Sequence, residues 1–128
     1  MRDLLAAARA ARQNAFAPYS KFQVGAALLS ADGRVFSGCN VENATYGLTV
    51  CAERVALFKA ISEGAREFTA VAVVADTEDP TPPCGACRQL LWEFGGNLEV
   101  ILGNLQAEKA RHRLKDLIPF PFDNRLLS

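Results

Sequence analysis

The chain carries no net charge: 14 lysines and arginines are matched by 14 aspartates and glutamates over 128 residues. A balanced protein presents no field that would gather a phosphate backbone, which argues against nucleic acid as the main partner and favours a small neutral ligand. No apolar run approaches the length of a membrane span, so no membrane partner is expected. Residues 1–11 have the basic residue and alanine run of a faint export signal, but Asp3, Arg9 and Arg12 interrupt any apolar core. Cysteine is scarce, with four residues, and half the composition is hydrophobic, so the core needs no disulfide staples. Reduced thiols, and hence the cytoplasm, are the reading that follows. Histidine occurs once, as His112, in a basic stretch that is read as exposed rather than metal-binding. Repeats, linkers and low-complexity segments are absent, and the length fits one domain spanning 1–128 around one core.

What is present alternates between helix and strand. Residues 3–16 are rich in alanine, leucine and arginine, with Leu4, Ala8, Ala11 and Ala15 on one face, and Pro18 ends that helix. The runs 24–29 and 35–41 flank an Asp32-Gly33 hairpin signal. Gly25 removes bulk from the first of them, for close packing of a helix rather than for a ligand. Thr49 is the expected N-cap of a helix over 50–63 that turns Val55, Leu57, Phe58 and Ile61 to the core. The run 68–75 reads as a central strand covered on both faces. A proline-rich loop leads to a helix over 84–94, stopped by Gly95 and Gly96, with Pro83 placed to start it, and then to a strand over 98–102. Residues 107–118 look locally helical. Strands alternating with helices after a hairpin give an α/β sandwich with a mixed sheet.

Three of the four thiols have metal-ligand spacing. Cys84 and Cys87 form a Cys-x-x-Cys, and Cys51 supplies a third soft ligand from elsewhere, leaving one corner of a tetrahedral zinc free. An open corner is what catalysis needs. All three cysteines fall in the first turns of helices, whose positive ends face the sulfurs. Glu53, two residues after Cys51, is placed to move protons at that corner. Other readings of the same residues stand beside this one. Cys39 as a fourth ligand would close the site into a structural, non-enzymatic zinc module, although a small buried hydrophobe is its simpler role. Glu53 could merely favour the helix dipole, Arg54 could be a surface ion pair, and Asn40 and Glu42 could make turn hydrogen bonds.

The residues Cys51-x-Glu53 and Pro83-Cys84-x-x-Cys87 resemble the zinc signature of nucleobase deaminases. More closely, 19–27 (YSKFQVGAA), 38–44 (GCNVENA), 51–54 (CAER) and 83–89 (PCGACRQ) resemble the small homotetrameric cytidine deaminases. The resemblance implies a three-layer α/β/α sandwich with a mixed five-stranded sheet. Its fifth strand is placed near 107–112, as a charged edge. The resemblance also implies one zinc per subunit on Cys51, Cys84 and Cys87, with Arg54 donating hydrogen bonds to the thiolates. The implied reaction is hydrolytic deamination of cytidine and 2′-deoxycytidine in pyrimidine salvage. Activated water attacks C4 of the base, and Glu53 is the proton shuttle.

Further site residues come from the same resemblance. Asn40 and Glu42 hold the ribose, Phe22 stacks near the base, and Ala44, Tyr46 and Phe122 reach the site of a neighbouring subunit. Active sites would then lie at the interfaces of a homotetramer. Phe120 or Phe122 could instead pack the chain end. Pro82 stands where the family commonly has serine, and the run Pro119-Phe120-Pro121-Phe122 replaces smaller residues, so pocket shape departs from the family's pattern. The sequon at Asn43 needs a secretory route and is read as accidental. A blasticidin-type small-molecule aminohydrolase shares the zinc frame and is the second enzymatic alternative, against which the asparagine-x-glutamate pair favours ribose.

Overall fold

Residues 68–75, apolar at nearly every position, form the central strand of a five-stranded sheet in the computed structural model, which describes residues 3–127. Met1 and Arg2 of the alanine-rich opening lie outside the described residues. Helix α1 spans Leu4–Arg12, with Asp3 as its cap, the carboxylate accepting from the Ala6 N–H at 3.1 Å. Strands β1 (Val24–Ser30) and β2 (Val35–Cys39) follow, then α2 (Ala52–Ser62) and β3 (Phe68–Ala75). Helix α3 (Gly85–Gly95) and strands β4 (Glu99–Gly103) and β5 (Glu108–Arg113) complete the regular elements. The strand order is β2-β1-β3-β4-β5. Only β3 and β4 run parallel, so the sheet is mixed, as expected.

Side chains alternate across the sheet and divide the core into two layers. Ala26, Leu28, Phe36, Val71, Val73, Val100 and Leu102 pack with Ala52, Ala56 and Leu57 of α2 and Leu91 of α3. On the other face, Ala27, Ala72, Val74 and Ile101 meet Leu4, Leu5 and Ala8 of α1. Covering both faces makes the three-layer sandwich, and each fully buried leucine or valine contributes about 1.5–3 kcal/mol. Two glycines let helices touch the sheet backbone. A Cβ on Gly25 would lie 1.9 Å from the Ala8 carbonyl oxygen, and one on Gly38 would lie 2.6 Å from the Ala56 nitrogen. Gly25 is therefore a packing glycine, and Gly38 seats α2 directly on β2.

Non-local pairing changes several expected boundaries. Helix α1 ends at Arg12 rather than at Phe16, because the Phe16 N–H donates to the Asn40 carbonyl at 3.0 Å and its own carbonyl accepts from Glu42. Val50 is not helical. It exchanges two hydrogen bonds with Val41, at 2.9 and 3.0 Å, closing the base of the 42–49 loop, so Cys51 and not Thr49 caps α2. The buried face of α2 also differs: Ala52, Ala56, Leu57 and Ala60 are buried, Val55 and Ile61 are half-buried, and Phe58 is exposed. A close approach to glycine selects alanine on that face. The helical appearance of 107–118 gives way to β5 and a single 3-10 turn at Leu114–Asp116. Strand β5 is an exposed edge whose Arg111 pairs with Glu99 and with Glu108, the charged edge that blocks unwanted strand pairing. Among the described residues, no helix is long and apolar enough to cross a membrane.

Candidate metal centre and active site

Each cysteine of the candidate metal cluster sits where a helix begins. Cys51 is the N-cap of α2 and Cys84 that of α3, while Cys87 is the third residue inside α3. The Cys84 sulfur takes the place of a capping oxygen and accepts the Cys87 N–H at 3.4 Å. The Cys-x-x-Cys spacing is therefore a cap and the residue it caps. The Cys84 and Cys87 sulfurs are 3.4 Å apart, and the Cys51 sulfur is 4.0 Å from that of Cys84. All three lie within 4.8 Å of one another. Among the described residues this is the one group of three or more His, Cys, Asp or Glu side chains able to hold a metal. Cys39 ends β2 outside the cluster, and His112 is exposed on β5, so neither supplies a fourth ligand. Three sulfurs without a fourth protein donor leave a tetrahedral zinc one open position.

The electrostatics fit a cation. Hydrogen bonding to Cys87 and to Cys84, with the charge of Arg54, pulls the Cys51 thiol down to about 5 against the effect of burial. Cys87 is pushed up, first by its bond to Cys51, then by burial and by the charge of Glu53. A first thiolate thus forms readily and opposes the next, so holding all three ionised calls for a positive ion among them. Arg54 points inward rather than forming a surface pair: its Nη2 donates to the Cys51 sulfur at 3.8 Å, and its buried Nε has no hydrogen-bond partner. Glu53, in the first turn of α2, is 5% exposed. Its carboxyl is pushed up to about 7, chiefly by burial, with the Cys51 charge adding to it. A bound divalent cation acts in the opposite direction.

Phe22, Asn40, Glu42 and Tyr46 meet along the 17–22 segment. Buried Asn40 accepts from the Val24 N–H at 2.8 Å and donates to the Phe22 carbonyl at 2.7 Å. Glu42 accepts from the N–H groups of Tyr19 and Ser20 at 2.9 and 3.0 Å, and from the Ser20 hydroxyl. These bonds hold its carboxyl below the usual range, the Ser20 hydroxyl first among them. Tyr46 stacks edge-on against Tyr19, with ring centroids 6.0 Å apart, and is itself largely exposed; Ala44 is exposed and Phe22 partly so. Phe122 lies on a different segment, its ring exposed and its carbonyl accepting from Gln89 of α3. Sequence reasoning missed Ser20, the hydroxyl that organises Glu42. It also missed Arg88, Gln89 and Trp92, which tether the C-terminal segment to α3. The motif at 83–89 contains two of these, but spacing alone assigns them no partner.

Comparison with known proteins agrees with this geometry. Residues 1–103 match the family model described as the cytidine and deoxycytidylate deaminase zinc-binding region. The chain belongs to the cytidine deaminase family. Members of this family are zinc-dependent hydrolases, and the Cys51, Cys84 and Cys87 cluster is suited to that zinc. A relative from Sporosarcina psychrophila, named cytidine deaminase, is 52% identical over 98% of this chain and 93% of its own length. Another of that name, from Halalkalibacterium halodurans, is 58% identical over 88% of this chain and 86% of its own. The crystal structure of cytidine deaminase from Burkholderia pseudomallei superposes with a TM-score of 0.89 at 55% identity, covering 93% of this chain and 96% of that one. The deaminase fold is thus shared as well as the motif.

Proposed function

We propose that this protein hydrolyses cytidine and 2′-deoxycytidine to the corresponding uridine nucleosides and ammonia. The observation that carries this reading is the open three-thiol cluster, with buried Glu53 two residues beyond Cys51. Zinc held there supplies activated water at neutral pH. Glu53 moves the protons. It takes one from the water that attacks C4 and passes it to ring N3. It then carries the second from the new C4 hydroxyl to the amino group, which departs as ammonia and leaves the carbonyl. Arg54 and the two helix N-termini offset the thiolate charge, which would otherwise oppose loss of a proton from water.

Asn40 and Glu42 read the ribose hydroxyls. Their bonds to Phe22, Val24, Tyr19 and Ser20 support this role by fixing both side chains, while the second amide N–H of Asn40 and the remaining lone pair on Oε2 of Glu42 keep capacity for a ligand. Phe22 lies beside them to stack on the base. The exposed Ala44, Tyr46 and Phe122, with Phe120 and Leu48 also solvent-facing, support an assembly in which these residues reach a neighbouring copy's site. The whole chain is read as one deaminase domain of a cytoplasmic homotetramer that acts in pyrimidine salvage. Zero net charge supports a nucleoside over a nucleic-acid substrate.

A substrate panel followed by ultraviolet absorbance tests this reading. Cytidine and deoxycytidine are expected to be consumed by zinc-loaded protein, with free cytosine and single-stranded DNA untouched. Turnover of free cytosine or of a blasticidin-type amine, in place of the nucleosides, would remove Asn40 and Glu42 from their assigned role.

A further inference from the structure

One basic side chain close to the metal cluster has no place in the chemistry above. Arg88 lies one turn beyond Cys84 on α3, and its backbone N–H makes the ordinary helical bond to the Cys84 carbonyl at 2.9 Å. Its guanidinium folds back past the start of the helix. Nε donates to the carbonyl of Pro83 at 2.7 Å, and Nη1 donates to the carbonyl of Leu117, also at 2.7 Å. Pro83 is fully buried and immediately precedes Cys84, where the chain turns from the proline-rich loop into α3. A buried carbonyl needs a donor. The Cys84 sulfur and carbonyl hold the first turn of α3 from inside, and the Arg88 Nε is the donor that the carbonyl ahead of them receives. The planar fork of an arginine reaches both carbonyls at once, which an ammonium cannot do in the same way.

We propose that Arg88 is a positioning residue for the metal centre, tying the carbonyl ahead of Cys84 to the C-terminal segment so that the Cys84 sulfur is fixed before zinc binds. This rests on the reading of Cys84 as a zinc ligand. Outer groups of this kind hold ligands in place without touching the ion, and their loss weakens metal binding about 10- to 100-fold. Arg88 also links two regions otherwise far apart in sequence, since Leu117 opens the segment whose Phe122 carbonyl is bonded by the neighbouring Gln89. Trp92 bonds the same segment at Asp123, at 2.9 Å, but makes no bond to the loop that carries Cys84. Trp92 therefore separates anchoring of the C-terminal segment from positioning of the ligand.

The test is zinc release from zinc-loaded protein into excess chromogenic chelator, at a temperature well below unfolding. Wild type is compared with Arg88→Ala, Arg88→Lys and Trp92→Phe, and the fold of each is checked by circular dichroism. Release is expected to be about 10- to 100-fold faster in Arg88→Ala, raised less in Arg88→Lys, and unchanged in Trp92→Phe. A wild-type rate in Arg88→Ala overturns the proposal. Equal acceleration in Trp92→Phe does so too, since loosening of the C-terminal segment would then explain the effect. If Arg88→Ala does not fold, Arg88→Lys decides the matter: a raised rate supports positioning and a wild-type rate refutes it. Wild-type protein that binds no zinc refutes the metal reading itself, and is told apart by its metal content before any variant is compared.

Discussion

Glu53→Gln is expected to lower kcat for cytidine by about 100- to 10,000-fold, the range that a positioned proton-transfer group supplies. Zinc content and KM should stay near wild type. Glutamine keeps the size of the side chain in a pocket where Glu53 is 5% exposed, so packing of α2 against the sheet is preserved. What disappears is a group able to take a proton from water and return it to N3 and to the leaving nitrogen. Glu53 is not part of the metal-holding cluster, so the ion should remain. Metal analysis beside steady-state kinetics separates the two functions. Wild-type kcat in the variant would place proton transfer elsewhere. Loss of zinc together with activity would make Glu53 a metal ligand and not a shuttle.

Cys87→Ala should remove zinc and activity together, because Cys87 is one of the three sulfurs that, among the described residues, come together in the metal cluster. The loss in zinc affinity should exceed the roughly 100-fold that removal of an outer partner causes, since a bond to the ion itself is gone. Cys87 is completely buried, and trimming its sulfur leaves a small cavity that costs about 1–2 kcal/mol, so the fold should survive for measurement. Cys39→Ala is the matched control. Cys39 ends β2 outside the cluster, and its removal should leave both zinc content and turnover unchanged. Zinc retained in Cys87→Ala but lost in Cys39→Ala would mean that a different set of thiols holds the ion.

Local chemistry made much of this site legible in the chain. A Cys-x-x-Cys at the start of a helix needs only a cap position and the third residue after it, and the structure places Cys84 and Cys87 there. The apolar run 68–75 is β3 to the residue, because a strand covered on both faces leaves a continuous signature. The misses arise where distant segments pair. Nothing in residues 14–16 signals that Phe16 will bridge Val41, or that Val41 will bridge Val50, and these two bridges shorten α1 and delay α2. Helical periodicity likewise assigned Phe58 to the core, whereas the close seat of α2 on Gly38 gives the buried positions to Ala52, Ala56 and Ala60. The bonds of Arg88 to Pro83 and Leu117 span 5 and 29 residues, and no local pattern encodes the longer one. Asn40 and Glu42 show the same limit from the other side. The turn hydrogen bonds they could locally make are replaced by bonds reaching 16 to 23 residues back to Tyr19, Ser20, Phe22 and Val24, and the proposed ribose role rests on the family likeness and on their unused capacity.

The most direct measurement is titration of zinc into metal-free protein with cytidine deamination followed at each addition. Activity should rise from baseline in proportion to added zinc, level off at one ion per chain, and vanish again with chelator. Full turnover in the metal-free protein, or a protein that takes up one zinc per chain and never deaminates cytidine, would contradict the assignment of Cys51, Cys84, Cys87 and Glu53 as one catalytic centre.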